Sequence, residues 1–291
     1  MNTILQACLW MSGAIVSFTV MAIAGRAISL ELDTFEIMMY RSAIGVVVVL
    51  SMARVFGTHK DIAPTRLGLH FLRNISHFAG QNLWFFAITV IPLAQVFALE
   101  FTSPIWVLLL SPLVLSERLT ANRVLAAIVG FIGILIVTRP DPGSLNMGQV
   151  AAALAAIGFA GSAVFTRLLT RTDKITNILF WLTAMQLVFG VICAGTDGQI
   201  ALPQFTSLPW VVLVSLTGLF AHYCLTTALS LAPATVVIPI DFTRLPIVAF
   251  VGMFLYDESL DRYVFLGAAL IFLANYTNIW LESRRKTVTK T

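Results

Sequence analysis

The stretch PLAQVFALEFTSPIWVLLL, Pro92 to Leu110, is apolar along almost its whole length and carries a glutamate, Glu100, near its centre. The run is long enough to cross a hydrocarbon core of about 30 Å. A charge at mid-bilayer costs about 2.5 to 3.5 kcal/mol even on the lenient insertion scale. Glu100 is therefore either neutralised by a partner or put to use, and the rest of the chain bears on which.

The 291 residues are 58% hydrophobic and only 11% charged, with a mean hydropathy of +0.91. A soluble globular chain carries about 25% charged residues, so this one lacks the polar side chains to cover a water-facing surface of its size. The composition predicts an all-α polytopic membrane protein. Ten apolar runs follow one another near residues 4–26, 34–53, 66–90, 92–115, 119–138, 147–169, 175–194, 207–231, 233–255 and 261–281. Short polar breaks such as GTHKDIAPT separate them. The first run lacks the basic start of a signal peptide and is too long for one, so it counts as a span. Cys8, Cys193 and Cys224 all fall in apolar runs with no paired spacing, which argues against a metal site or disulfide framework.

Lysine and arginine set the expected orientation. With the N-terminus in the cytoplasm, twelve basic residues face inward: Arg54, Lys60, Arg66, Arg118, Arg123, Arg167, Arg171, Lys174, Arg284, Arg285, Lys286 and Lys290. Only Arg26, Arg139 and Arg262 face outward. The chain is expected to span a cell's inner membrane with both termini in the cytoplasm, the last ten residues (282–291) as a basic cytoplasmic tail. The basic balance follows from that rule and calls for no nucleic-acid partner.

Sliding the chain against itself by 141 residues aligns chemically ordered positions. Ala14, Phe18, Ala22 and Arg26 fall on Ala155, Phe159, Ala163 and Arg167, a four-residue step that marks one helix face. Pro92, Val96, Phe101 and Thr102 fall on Pro233, Val237, Phe242 and Thr243; Glu117 and Leu119 fall on Glu258 and Leu260. Glu100 itself falls on Asp241, in PATVVIPIDFTRLPIVAFV. Apolar halves match alanine and valine by chance, but not acid on acid twice without a gap. The expectation is two five-helix repeats, 4–138 and 147–281. Five is odd, so the second enters from the opposite side, the inverted-repeat plan of secondary carriers.

Two segments carry a family resemblance. They are LWFFAITVIPLAQVFALEFTSPIWVLLLSPLVLSERLTANRVLAAIVGFIGILIVTRP in the first half and APATVVIPIDFTRLPIVAFVGMFLYDESLDRYVFLGAAL in the second. They resemble the EamA domains of the drug/metabolite transporter superfamily, over nearly the whole chain. That resemblance implies ten helices in two inverted bundles of five, with a central cavity lined mainly by the first four helices of each. FEIMMYRS, HFLRNISHFAGQNLW and GFIGILIVTRP are similar to a bacterial subgroup that includes riboflavin and S-adenosylmethionine uptake systems. Amino-acid and metabolite exporters are resembled less closely.

At 1.5 Å per helical residue, Glu100 is expected about 12 Å below the outer surface and Asp241 about 12 Å above the inner one. Arg41, in MMYRSAIG, falls level with Glu100. Arg244 shares a helix face with Asp241, and Arg73 and His222 reach similar depth from the inner side. Arg41, Arg73 and His222 are the candidate ion-pair partners. For each acid two readings stand: an internal ion pair that fixes packing, or a carboxylate that takes up a proton or a cationic substrate group. Arg244 instead offers a positive charge to an anionic or polar ligand.

In HFLRNISHFAGQNLW, the residues His70, Arg73, Asn74, His77, Gln81 and Asn82 recur at helical steps. Such a polar stripe on an apolar rod fits a water-filled cavity or interhelical hydrogen bonds. His77 is near the midplane, as a neutral hydrogen-bonded group or one that titrates between pH 5 and 8. Among the aromatics, Trp84 shares the stripe's side and suits stacking on a planar ligand. The expected substrate or coupling set is therefore His77, Gln81, Asn82, Trp84, Glu100, Asp241 and Arg244. No P-loop, H-E-x-x-H or G-x-S-x-G motif occurs. An intramembrane enzyme is the competing class, and neither reading calls for a cofactor. A cavity of aromatics with amide, imidazole and guanidinium donors fits a flat polar heteroaromatic, riboflavin first.

Overall fold

A computed structural model describes residues 3–117, 119–139, 146–196, 198–259 and 262–288. Arg118, Leu260 and Lys290, named above, lie outside the described residues, as does the end of the basic tail. The described residues form helices and no strand. In chain order these are α1 (Thr3–Ile28), α2 (Thr34–Val55), α3 (Leu67–Val90), α4 (Leu93–Glu100), α5 (Ser103–Leu115) and α6 (Ala121–Thr138). The second half holds α7 (Met147–Leu169), α8 (Ile175–Ala194), α9 (Leu208–Leu231), α10 (Ala234–Val237), α11 (Arg244–Tyr256) and α12 (Arg262–Val288). A 3-10 segment, Ile238–Thr243, joins α10 to α11.

The 141-residue offset holds at the level of helix bounds. Moved by 141, α3 lands on α9 and α5 on α11, residue for residue, and α6 starts where α12 starts. Helix ends follow local chemistry. Asp33 caps α2 and exchanges hydrogen bonds with Glu36, and Asn146 does the same with Gln149 at α7. These are reciprocal capping boxes. Ser116 and Asp257, an offset pair, both close their helices in the left-handed region, at φ of 56° and 53°.

Among the described residues, seven segments are long and apolar enough to cross a membrane: α1, α2, α4–α5 together, α7, α8, α9 and α10–α11 together. The sequence reading expects ten. The third, α3, matches them in length, but its stripe of histidine, arginine, asparagine and glutamine makes it too polar to count. Within α6 and α12 the apolar runs are shorter, Val124–Val137 and Arg262–Ala274.

The two halves interleave. Helix α1 packs on α9, α3 on α7, α2 on α8 and α6 on α12, so each pairing joins one half to the other. One apolar core gathers the ends of α1 and α3 with α4 and α11. A second gathers the start of α1 and the end of α9 with α5 and α10. Between α3 and α7 the approach is limited by backbone. A Cβ at Gly158 would stand 2.7 Å from Ser76 O and 2.9 Å from Gly80 Cα, where nothing can yield but the helices themselves.

Gly158→Ala should therefore lower the stability of the detergent-solubilised protein by about 1 to 3 kcal/mol, the usual cost of overpacking. Gly68→Ala, on the same pair of helices but with open space around it, should leave the melting temperature unchanged or raise it. Equal melting curves for wild type and Gly158→Ala would refute the close approach.

Candidate functional site

The long segments α4–α5 and α10–α11 are both interrupted midway, and the interruptions carry the acids. Helix α4 ends at Glu100, and α5 restarts at Ser103 with Pro104 in its first turn. Proline has no N–H to offer and is tolerated in a first helical turn. The orphaned carbonyls are taken locally: Ser103 Oγ donates to Glu100 O (2.5 Å) and Thr102 Oγ1 to Leu99 O (2.9 Å). In the second half the 3-10 segment IPIDFT holds Asp241, and Thr243 Oγ1 donates to Ile240 O (3.0 Å).

Here the acids meet. Arg244 Nη2 donates to Glu100 Oε1 at 2.8 Å and to Asp241 Oδ2 at 2.6 Å. Trp84 Nε1 donates to the other oxygen of Glu100 at 2.8 Å. The guanidinium is buried, and its carbon lies 4.5 Å from the Phe97 ring centroid and 5.3 Å from that of Phe18. Cation–π contact of this kind favours the charge most when it is desolvated. Phe101 and Phe242, the neighbours of the two acids and themselves an offset pair, meet edge to face at 4.9 Å.

A central cavity of about 80 Å³ opens beside this cluster. At about 10 to 15 Å³ per water it holds a handful of waters. Its walls come from α1, α3, α7 and α9 and from the two interrupted segments. Of the expected residues, His77, Gln81, Trp84, Glu100, Asp241 and Arg244 line it, with Arg73 and His222. Asn82 does not: its Nδ2 donates back to Phe78 O at 2.8 Å. His77 and His222 meet edge to face, centroids 4.6 Å apart. His77 Nε2, His222 Nε2, Gln81 Nε2 and Asp241 Oδ1 have no protein partner among the described residues. Four residues of the wall thus hold buried polar atoms with unused hydrogen-bonding capacity, among aromatic neighbours.

The ion-pair expectation needs correcting at all three bases. Arg41 does not reach Glu100; its Nη1 approaches only Met38 Sδ, at 3.5 Å, and it lines a separate small pocket with Ser42 and Gln186. Arg73 donates from Nε to Thr166 Oγ1 (3.1 Å) and from Nη1 to Asn74 Oδ1 (3.0 Å). No described carboxylate pairs with Arg41, Arg73 or His222. Depth along a helix does not say which face a side chain takes, and Arg244 sits one turn from Asp241 with reach across to Glu100.

The polar stripe of α3 also divides. Arg73, His77 and Gln81 face the cavity, while Asn74 donates to Trp181 O (3.2 Å) and accepts from Gln186, binding α3 to α8. His70 pairs with Asp173, Nε2 to Oδ2 2.9 Å. Burial alone would raise the Asp173 carboxyl, but hydrogen bonds from His70, Thr65 and Thr172 hold it below its usual range. The sequence reading missed Phe18, Phe101, Ser103, Phe159 and Thr166 as cavity residues. Phe18, Phe101 and Phe159 were within reach as offset matches. Thr166 carries no such signal.

Comparisons with known proteins place the chain among relatives. The EamA-like transporter family profile matches residues 5–139 and again 146–280. The riboflavin transporter of Brucella anthropi is 31% identical over 240 residues, 81% of this chain and 84% of that protein. That of Vibrio cholerae is 27% identical over 276 residues, 93% and 91% of the two chains. The S-adenosylmethionine uptake transporter of Rickettsia bellii is 23% identical over 275 residues, 94% of each. A crystal structure at 18% identity superposes with a TM-score of 0.75 over 96% of this chain and 98% of its own, a likeness of fold.

Arg244→Leu should cost about 3 to 5 kcal/mol of stability, because it leaves two carboxylates in the interior without their cation. The triple variant Glu100→Gln, Asp241→Asn, Arg244→Leu should recover most of that loss in thermal unfolding. In contrast, Arg41→Gln and Glu100→Gln should combine additively, within about 0.5 kcal/mol. A strong coupling between that pair would contradict the shared arginine.

Proposed function

The chain belongs to the EamA-like transporter family, and from that premise we propose a carrier that takes up riboflavin by alternating access. In this reading ten spans form two inverted repeats, 4–138 and 147–281, in a cell's inner membrane with both termini in the cytoplasm. The observation that carries it is the Glu100–Arg244–Asp241 cluster at the breaks of two interrupted spans, beside a central cavity with aromatic and charged walls. Inverted-repeat carriers hold substrate at such breaks, near mid-membrane. His77, Gln81, Trp84, Glu100, Asp241 and Arg244 are the proposed substrate or coupling residues, with His222 and Arg73 added on their position in the wall.

The cavity as it stands is too small for a tricyclic ring, so loading requires the helices to part, as alternating access demands. The formal charges of the wall decide between ligand classes. Glu100 and Asp241 against Arg244 and Arg73 sum to zero, which suits an uncharged, flat, polar molecule such as riboflavin. The cluster alone carries two acids to one base. That local excess favours a cation and supports S-adenosylmethionine, with its sulfonium, as a second reading. Identity supports the first, since the riboflavin transporters match at 31% and 27% and the S-adenosylmethionine relative at 23%.

A riboflavin-requiring bacterium with this protein as its sole carrier should grow on limiting riboflavin. Gln81→Leu or His77→Leu removes a cavity hydrogen bond worth about 0.5 to 1.5 kcal/mol. Apparent affinity should fall by about two- to tenfold at equal expression. If the wild type gives no rescue but supports uptake of labelled S-adenosylmethionine, the second reading replaces the first.

A further inference from the structure

Two further ion pairs tie the halves together, and the repeat exchanges them. At one end of the bundle Arg26, closing α1, donates from Nη1 to Glu258 Oε1 at 2.5 Å. Glu258 also accepts from Leu93 N, at the start of α4, at 3.1 and 3.2 Å. The Arg26 guanidinium lies 4.4 Å from the centroid of Tyr256, the last residue of α11. One carboxylate thus joins the ends of α1, α4 and α11.

Moved by 141 residues, Arg26 becomes Arg167 and Glu258 becomes Glu117, which meet at the opposite end. Arg167, in the last turn of α7, approaches Glu117 Oε1 through Nε at 3.9 Å. Glu117 accepts from Thr235, in α10, at 3.2 Å. The helix ends joined here are the offset images of those at the first site. Both glutamates are placed the same way, directly after a left-handed cap: Glu117 N donates to Ser111 O and Glu258 N to Gly252 O, at 3.3 and 3.1 Å.

The two sites are copies in sequence but not in geometry. The Arg26–Glu258 pair is within hydrogen-bonding distance; at 3.9 Å the Arg167–Glu117 contact is not. Arg167 Nη1 instead donates to Leu229 O at 2.5 Å. We infer that Arg26–Glu258 and Arg167–Glu117 are alternating latches, the first closed and the second released in this conformation, each sealing one end of the central cavity. In the opposite state Arg167 leaves the α9 carbonyl for Glu117 while Arg26 lets Glu258 go. Trading one pair for its copy keeps the two states close in energy. One local difference favours the closed latch seen here. A Cβ at position 252 would stand 2.4 Å from Glu258 Oε2, so glycine lets that carboxylate fold over its helix, and its counterpart in the first half is Ser111.

The inference rests on the alternating-access reading but not on the substrate. A reporter cysteine at Ser162, on the cavity wall, in a background with Cys8, Cys193 and Cys224 replaced, is labelled by a charged methanethiosulfonate from either face of oriented vesicles. Glu258→Gln should speed labelling from the Glu258 face and slow it from the Glu117 face, by about two- to fivefold. That is the population change a partly exposed ion pair commands. Glu117→Gln should do the reverse. Arg26→Gln should copy Glu258→Gln, and reads the same latch if the latter accumulates poorly. Restoration of wild-type rates by the charge swap Arg26→Glu with Glu258→Arg supports the latch. Unchanged rates in folded variants, or shifts in the same direction for both glutamates, overturn it. Absence of riboflavin rescue with shifted labelling removes the substrate reading alone, and intact transport with unshifted labelling removes the latches alone.

Discussion

Two carboxylates and one guanidinium share the middle of this molecule, and most of its internal arrangement serves to keep them there. In a low-dielectric interior each charge alone is costly, and their mutual attraction repays that only with good geometry and satisfied lone pairs. Arg244 bridges both acids through one nitrogen, Trp84 holds the second oxygen of Glu100, and three phenylalanine rings cover the guanidinium. The backbone must break for this to happen. A continuous helix would place Glu100 and Asp241 on separate rods at set angles, whereas the interruptions let both side chains turn onto one base. Broken backbone at membrane depth is tolerated where it is buried in protein or lines a wet cavity, and the cavity beside Arg244 meets that condition.

The frame is duplicated while the site is not. Helix bounds repeat at 141 residues, as do the acids, the capping threonines and the phenylalanines beside them. Several charged and polar groups of the cavity wall fall where the halves differ. Arg244 corresponds to Ser103, His222 to Gln81, and His77 to Gly218. A strictly symmetric cavity would carry either two arginines or none, and in neither case would it bind two carboxylates through one cation. Duplication thus supplies two matched ends, and divergence supplies a single, one-sided charge cluster.

Much of the frame was legible because it depends on periodicity and composition. Apolar runs and the repeat each sum over many residues, so single misreadings cancel. The acids were legible as well, since an ionisable side chain in an apolar run stands out against its surroundings. Their partner was harder. Depth alone matches Glu100 to Arg41, but facing is set by how helices pack, and Arg41 turns to a pocket between α2, α8 and α9. The stripe alone puts Asn82 on the wall, whereas its amide bonds its own helix. The α3 stripe as a whole mixes cavity groups with helix-packing groups, and both leave the same mark in a sequence. Thr166, which positions Arg73, is one threonine among many.

The two interruptions are unequal, and that bears on how the molecule can move. In the first half α-helix gives way for only Phe101 and Thr102 before α5 resumes. In the second, α10 lasts four residues and six more follow in 3-10 form, with Pro239 withholding an N–H from the ladder. Hinges are short segments that absorb changes in φ and ψ. The longer 3-10 stretch has fewer i to i+4 hydrogen bonds to lose and is the softer of the two. Asp241 rides on it, whereas Glu100 ends a regular helix pinned by Trp84. A change in φ and ψ at the softer break would move Asp241 relative to Glu100 and so alter the cluster's geometry directly. A carrier that moved at this break would therefore change the charges around Arg244 in the same step, which is how backbone motion and ligand contacts can be coupled.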